Sequence, residues 1–474
     1  MKKVVFYQQF PLPYFGILSL VGYLKHHGYE PEIIISSLEK DPIDRLVELS
    51  PEIIGISAMT VEHRWLMQAA ADIRRALPNS TIIAGGIHTV LYPEEVLSIP
   101  EIDLACTGDG EEVLYDILRE MEKKEPDWHS LRGIGFRSAE GAVCVNERAP
   151  LYSYRDEIIE DRSIYFNRYP LLARDTAHRF ISSRGCPYHC NFCYNETLRN
   201  LFRNSGPYIR RKSIDNLIAE IRAVCGNNRT DAVFFVDDLF TMDKKWLGQF
   251  LLRYRKEINI PFVCTTRANI MDDEKAALLA EAGCRTVSFG LESGSYAIRK
   301  IVLNKDITDD LIIQCGRSIK KFGMHVQTAN MFCLPEETLQ DAFRTIELNI
   351  QTGTDFAFAS LLMPFPKTAI ADYCIEHGFL KSDYSFNDLP ESFMNISLLD
   401  LKEKDVIINV QRLAYFFIRY PSLYKRFKGA VHHMKLRWFF DLLFAAGNFL
   451  RHREERGVSW LSALQYAWRM RKTF

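Results

Sequence analysis

Short apolar runs separated by amphipathic stretches set the pattern of this chain from its first residues. Val4 to Phe10 reads as a strand, and Phe15 to His27 as a helix ending at Gly28. Ile33 to Ser36 and Ile53 to Ser57 supply further strands, with a helix over Pro42 to Leu49 between them. A helix from about Val61 to Leu77 leads to Thr81–Ala84 and the pair Gly85-Gly86. Leu104–Cys106 then leads through Gly108-Asp109-Gly110-Glu111 into another helix. Apolar strands with helical crossovers predict a parallel sheet covered on both faces, a doubly wound α/β domain. Its ligand is expected beyond the carboxyl ends of the strands, where the glycines gather.

A second alternating series begins at Arg179. Strands are expected over Phe180–Ser183, Ala232–Val236, Phe262–Thr265, Thr286–Phe289, Val326–Phe332 and Phe356–Leu362. Helices near Ile214–Val224, Lys244–Lys256, Glu274–Ala282, Asp309–Lys321 and Leu339–Thr352 intervene. Repeated βα units predict a partial parallel barrel with its chemistry at the carboxyl ends of the strands. Between the two series, Gly133–Arg137 and Ala142–Val145 read as a hairpin around Gly141, and Tyr152–Tyr169 as an extended segment crossing between domains. Beyond residue 390 the pattern turns helical, with Leu401–Tyr420 and Leu436–Leu450 amphipathic to strongly apolar. The expected division is 1–130, a linker over 131–175, a barrel over 176–375 and a helical region over 376–474.

Composition narrows the class without choosing the chemistry. The 474 residues are 47% hydrophobic and 25% charged, which fits an ordinary globular protein of two or three domains. A formal net charge of -1 gives no global electrostatic case for nucleic acid. The opening Met1-Lys2-Lys3-Val4-Val5-Phe6 lacks the architecture of a secretory signal. Eleven cysteines in so long a chain read as reduced thiols of a cytoplasmic protein.

Three of those cysteines carry the sharpest chemical signal. Cys186, Cys190 and Cys193 lie at x3 and x2 spacing in Cys186-Pro187-Tyr188-His189-Cys190-Asn191-Phe192-Cys193-Tyr194. The next cysteine, Cys225, is distant, so a closed four-ligand zinc site has no fourth thiol nearby. Three thiolates on one loop suit a [4Fe–4S] cluster with one iron open to an outside ligand. The bland alternative is three unrelated core cysteines, since free Cys is often buried.

This stretch resembles the CxxxCxxC signature of the radical S-adenosylmethionine (SAM) enzymes, with the aromatic Phe192 just before the third Cys. The resemblance implies that SAM chelates the open iron and is reductively cleaved to a 5′-deoxyadenosyl radical. It further implies SAM contacts at Phe192, Tyr194, Asp237, Asp238, Arg267, Glu292, Ser293 and Asn330. Asp237-Asp238 follows the second strand, and Gly290-Leu291-Glu292-Ser293-Gly294 resembles the family's strand-four "GxESGS" motif. A ribose diol suits a carboxylate acceptor, and the methionyl carboxylate suits Arg267 or backbone donors. Two departures stand out. Strand five ends in Cys333-Leu334-Pro335-Glu336-Glu337 where the family has "GxPGET", and Met363–Thr368 carries Lys367 where Gly is common in "PxPGT".

The first domain carries its own resemblance. "GISAMT", "IIAGGIHTVLYPEEVL" and "DLACTGDGEEVLYDIL" are similar to the cobalamin-binding domain that precedes many radical SAM barrels. That implies cobalamin contacts at Gln8, Ser57, Met59, Thr60, Gly85, Gly86, Ile87, His88, Gly108, Gly110 and Glu111. The DxHxxG motif that supplies histidine to cobalt elsewhere has no match, so no protein histidine is expected on the lower face. A degenerate domain without cofactor is the alternative.

The resulting expectation is an α/β chain. It has an N-terminal doubly wound, Rossmann-like cobalamin-binding domain, a partial (β/α)6 TIM-like radical SAM barrel and a C-terminal helical region. Its cofactors would be a [4Fe–4S] cluster, SAM and cobalamin. Its reaction would be methylation of an unactivated carbon in a small-molecule or lipid-like substrate. A flavodoxin- or ferredoxin-type one-electron reductant would feed the cluster. Radical cyclisation, rearrangement or oxidation is the rival within enzymes, and a B12 or redox sensor the rival outside them. The C-terminal helices are expected on the barrel mouth, with peripheral membrane contact as the other option, because Trp/Phe and Lys/Arg fit an interfacial helix.

Overall fold

The computed structural model describes residues 2–390, 394–433 and 437–456. Expectations for 457–474 lie outside the described residues. The chain forms two compact units, the first being residues 1–176 with 199–229 and the second 177–198 with 230–474.

In the first unit, five parallel strands follow the order β2-β1-β3-β4-β5. They are β1 (Val4–Gln8), β2 (Glu32–Ile35), β3 (Ile53–Ser57), β4 (Thr81–Gly85) and β5 (Leu104–Cys106). Alternation along the strands explains why both faces are covered. Val4, Phe6, Ile33, Ile35 and Ile53 pack with Leu18, Val21, Leu24, Val113 and Ile117 of the helices Phe15–His26 and Gly110–Glu120. Val5, Tyr7, Ile34, Ile54 and Ile56 point the other way, onto Leu46, Leu66 and Ile73. The order reverses between β1 and β3, so the crevice expected for a ligand opens at their carboxyl ends.

The segment 131–175, expected as a linker, is instead built into this unit. Strands β6 (Ile134–Arg137) and β7 (Val143–Val145) extend the same sheet in antiparallel fashion. The aromatic run expected to cross between domains turns into the short helix Ser163–Phe166 and folds back on the sheet. Its phenols explain why: the Tyr165 hydroxyl donates to Gln8 Oε1 at 2.5 Å, and the Tyr169 hydroxyl accepts from the Ile35 N–H at 2.9 Å. The helix Ile214–Asn227, expected as the first barrel crossover, also belongs here. Asn216 donates to the carbonyls of Arg155, Asp156 and Ile158, and buried Glu220 binds both Lys212 (2.7 Å) and Arg162 (3.1 Å).

The second unit holds six parallel strands in simple chain order. These are β8 (Ala177–Phe180), β9 (Ala232–Phe235), β10 (Phe262–Thr266), β11 (Cys284–Glu292), β12 (His325–Phe332) and β13 (Phe356–Leu361). Sequential parallel order with a free edge at each end is a partial barrel. The first strand sits three residues earlier than expected. Ala177–Phe180 pair with Ala232–Phe235, which leaves Ser182 and Ser183 beyond the sheet.

The helix Lys404–Arg419, expected on the barrel mouth, packs instead on the side of the last strands that carries the crossover helix Leu339–Thr352. Ile407, Val410, Leu413, Ala414, Phe417 and Ile418 of the helix Lys404–Arg419 share a core with Phe332, Leu334, Ala342, Ile346, Ala357 and Ala359. Gln411 donates to the Ala359 carbonyl at 2.8 Å, in the middle of β13. Among the described residues no helix is long and apolar enough to cross a membrane.

Candidate cofactor sites

In the second unit the cysteine loop is tied down along its length. Asn191 donates its N–H to Leu303 O (3.1 Å) and its amide to Val302 O (3.0 Å), while Asn304 reaches His189 O (2.8 Å). Phe192 packs against the shared core, and the Tyr194 ring lies 5.2 Å from that of Phe365.

The three thiols lie near enough to feel one another's charge. Burial pushes the Cys186 and Cys193 thiols up, and Asp238 and the neighbouring thiols push the same way. Backbone N–H groups of Tyr188 and Asn195 oppose this. Among the described residues no three His, Cys, Asp or Glu side chains converge on one point as the ligands of a single ion would. Three neighbouring thiols on one loop suit a [4Fe–4S] cluster, each thiol on a different iron.

Other strand ends border this loop, but not all as expected. Arg267, just after β10, donates from Nη1 to Cys190 Sγ at 3.3 Å and lies 3.8 Å over the Tyr188 ring. Asp238 opens onto solvent, yet desolvation by its protein surroundings raises its carboxyl, with Asn195 opposing. Its neighbour Asp237 does not have the role expected for a SAM contact. It is buried, and its carboxylate accepts from the N–H and hydroxyl of Ser182 and the hydroxyl of Ser183.

Glu292 sits at a register shift in β11 with φ 68°, and its Oε1 pairs with the buried Lys305 at 2.8 Å. Ser293 is buried in the following turn, where its hydroxyl accepts from Ser295 N–H. The next residue must be glycine, since a Cβ on Gly294 would stand 2.2 Å from the Arg344 backbone carbon. Asn330 points away from the expected ligand side. It donates to Phe358 O and accepts from Asn349, on the crossover helix Leu339–Thr352, at 2.7 Å.

At the strand ends of the first unit, Gly86 adopts φ 87° while packed on the β3 end. A Cβ there would stand 2.6 Å from Ala58 O, so only glycine lets β4 turn. Two hydroxyls in this region, Thr60 Oγ1 and Thr107 Oγ1, are buried without a hydrogen-bond partner. Orphaned buried hydroxyls at the carboxyl ends of β3 and β5 are what a polar ligand there would satisfy. Ser57 and Gly85 end β3 and β4, Met59 is exposed beside Thr60, and Gly108 follows Thr107.

Four expected cobalamin contacts have other employment. Gln8 uses its amide on the carbonyls of Phe10 and Leu12, shaping the loop after β1. His88, in the helix Ile87–Leu91, is buried with Nε2 2.8 Å from Nδ1 of His63. Gly110 lies against Leu20, and Glu111 accepts from the Ser19 hydroxyl at 2.5 Å in helix packing.

Sequence reasoning passed over several residues at these sites. Lys305 is one, since its polar neighbours Asn304 and Asp306 gave no sign that it is buried. Asn195 is another, its amide 3.6 Å from Cys193 Sγ. Tyr14 and Glu62 form a third: the Tyr14 hydroxyl donates to Glu62 at 3.0 Å, joining the loops after β1 and β3. Burial holds the Glu62 carboxyl at about 7, against the Met59 N–H and Tyr14.

Known proteins share the two domains and the fold. Residues 1–118 match the B12 binding domain model and residues 180–348 the radical SAM superfamily model. An uncharacterised methyltransferase of Pyrococcus horikoshii is 27% identical over 342 residues, 70% of this chain and 71% of that protein. The anaerobic magnesium-protoporphyrin IX monomethyl ester cyclase of Rubrivivax gelatinosus is 24% identical over 74% of this chain and 64% of that protein. The structure of the cobalamin-dependent SAM radical enzyme OxsB, with aqua-cobalamin and SAM bound, superposes with a TM-score of 0.71. That match is 17% identical and covers 95% of this chain and 71% of OxsB. The chain's cofactors are a [4Fe–4S] cluster, SAM and cobalamin, and it belongs to the cobalamin-dependent branch of the radical SAM enzymes.

Proposed function

We propose that this chain methylates an unactivated carbon of a small-molecule or lipid-like substrate. The observation that carries the reading is the presence of three neighbouring thiols after β8 together with orphaned hydroxyls at the strand ends of a B12-binding domain. The methyltransferase relative from Pyrococcus horikoshii supports the choice of reaction. When bound, the cluster and SAM supply a carbon-centred radical, and cobalamin supplies the methyl group.

In this reading Cys186, Cys190 and Cys193 hold the cluster. Asp238, Glu292 braced by Lys305, Ser293, Phe192 and Tyr194 border SAM. Ser57, Met59, Thr60, Gly85, Gly86, Ile87, Thr107 and Gly108 border cobalamin. The segment beyond residue 376 limits the substrate, a flavodoxin- or ferredoxin-type protein delivers electrons, and the enzyme works in the cytoplasm. Peripheral membrane contact would come from the exposed Trp438 and Leu442. A second reading, radical ring closure or oxidation, is favoured by the cyclase relative.

The test uses full-length protein reconstituted with iron, sulfide and cobalamin, then given reductant, methyl-labelled SAM and a metabolite extract. Label on a carbon of an extracted metabolite supports methylation. SAM cleavage with an altered but unlabelled metabolite moves the reading to cyclisation or oxidation. No SAM cleavage at all removes both.

A further inference from the structure

We propose that Arg267 sets the reduction potential of the cluster through Cys190, as a positioning residue and not as a ligand of SAM. The inference rests on the cluster reading above. Each thiol has an N–H donor directed at it. Cys186 receives the Tyr188 backbone N–H, and Cys193 receives the backbone and side-chain N–H groups of Asn195. Cys190, the most buried of the three, receives Nη1 of Arg267 at 3.3 Å.

Only that last donor carries a charge, and only it comes from another strand. The guanidinium is also held in place independently of any ligand. Its carbon lies 3.8 Å over the Tyr188 ring, and its Nε donates to Asn269 Oδ1 at 3.1 Å. A planar fork held by the Tyr188 ring and Asn269 keeps its aim at the sulfur.

The electrostatic consequence has a sign. Adding an electron makes a thiolate-ligated cluster more negative, and hydrogen bonds to its sulfurs are among the factors that set its potential. A charged N–H aimed at a ligand sulfur away from bulk water stabilises the reduced form more than the oxidised one. Arg267 therefore makes the cluster easier to reduce. Partners of this kind, one step beyond the ligands, tune a metal centre without touching it.

The test compares reconstituted full-length wild type with Arg267→Gln and Arg267→Lys, without SAM, by iron content and by potentiometric titration of the reduced cluster's EPR signal. Arg267→Gln is expected to keep its iron and to lower the reduced-to-oxidised ratio at fixed potential about tenfold, about 59 mV for one electron. Arg267→Lys keeps the charge but loses the fork, so its midpoint falls by less. A loaded Arg267→Gln protein with the wild-type midpoint overturns the inference. That outcome, joined in a separate binding titration by weakened SAM affinity, would make Arg267 a SAM ligand instead. Should Arg267→Gln hold no iron, Arg267→Lys decides: a lowered midpoint supports the inference and an unchanged one overturns it. A wild type that holds no iron would overturn the cluster reading itself, and this inference with it.

Discussion

The Asp237 carboxylate accepts the Ser182 hydroxyl at 2.6 Å and the Ser182 N–H at 3.0 Å, pinning the chain beyond β8 to the end of β9. The cysteine loop starts four residues later. Asp237→Ala would leave the Ser182 N–H and two hydroxyls buried without an acceptor, at about 2–4 kcal/mol in total. The expected outcome is lower thermal stability together with a loss of bound iron. Normal stability and iron with weakened SAM binding would restore the ligand role that the sequence suggested.

Glu292 and Lys305 form a buried pair 2.8 Å apart, with Lys305 also holding the Gly290 carbonyl. Removing one partner strands the other charge, typically at about 3–5 kcal/mol, whereas removing both is often close to neutral. Glu292→Gln and Lys305→Met should each lower the melting temperature markedly, and the double variant should recover most of the loss. Strictly additive losses would show that the pair is not coupled.

Three positions where the family patterns carry glycine hold other residues here, and all are left-handed: Cys333 (φ 56°), Glu336 (φ 66°) and Lys367 (φ 65°). A left-handed L-residue costs about 1–2 kcal/mol, and glycine returns about 0.5–1 kcal/mol of that as chain entropy. Lys367→Gly, at an exposed position, should therefore stabilise the protein by about 0.5–1 kcal/mol in thermal or urea unfolding. A loss of similar size would mean that the Lys367 side chain does more for the fold than its backbone strain costs.

The strands were legible because buried parallel strands are short apolar runs bounded by glycine and polar residues. Ile53–Ser57 and Leu104–Cys106 fall where the pattern put them. The direction of a polar side chain on such a strand was not legible, because both faces are covered. Asn330 could point to a ligand or to the crossover helix, and Asn349, nineteen positions on, decides for the helix. Arg267 failed for a related reason. Sequence placed it at a strand end, but only the fold puts Cys190 and Tyr188 beside it. The segment 131–175 looked like a linker because its phenols anchor to β1 and β2, far back in the chain.

Burial raises the Glu62 carboxyl to about 7 from an ordinary value of 4.5. The unfolded chain releases this proton first, so between those values the folded state binds more protons and stability falls as pH rises. The whole window amounts to on the order of 3 kcal/mol. Glu62→Gln cannot titrate, so its melting temperature relative to wild type should climb from pH 4.5 to about 7 and then level off. A difference independent of pH would mean that Glu62 ionises as readily as an exposed carboxylate.

The C-terminal helices decide how the chain can be cut. A lid resting on a finished barrel would come away and leave the barrel folded, but the helix Lys404–Arg419 is not arranged that way. Its Ile407, Val410, Leu413, Phe417 and Ile418 complete the same core as Phe332, Leu334, Ile346 and Leu361 of the last strands and their crossover. At about 1.5–3 kcal/mol per buried side chain, these residues contribute about 10 kcal/mol, comparable with the whole stability of a domain. Gln411 also satisfies the Ala359 carbonyl, so removal would orphan a buried backbone group as well. Deleting 391–474 should therefore leave the second unit unable to hold native packing, with lost near-UV circular dichroism, poor yield and no bound iron. The first unit, whose cores include none of these residues, should keep binding cobalamin. A truncated protein with native near-UV signal and full iron would show that the helix is an accessory after all.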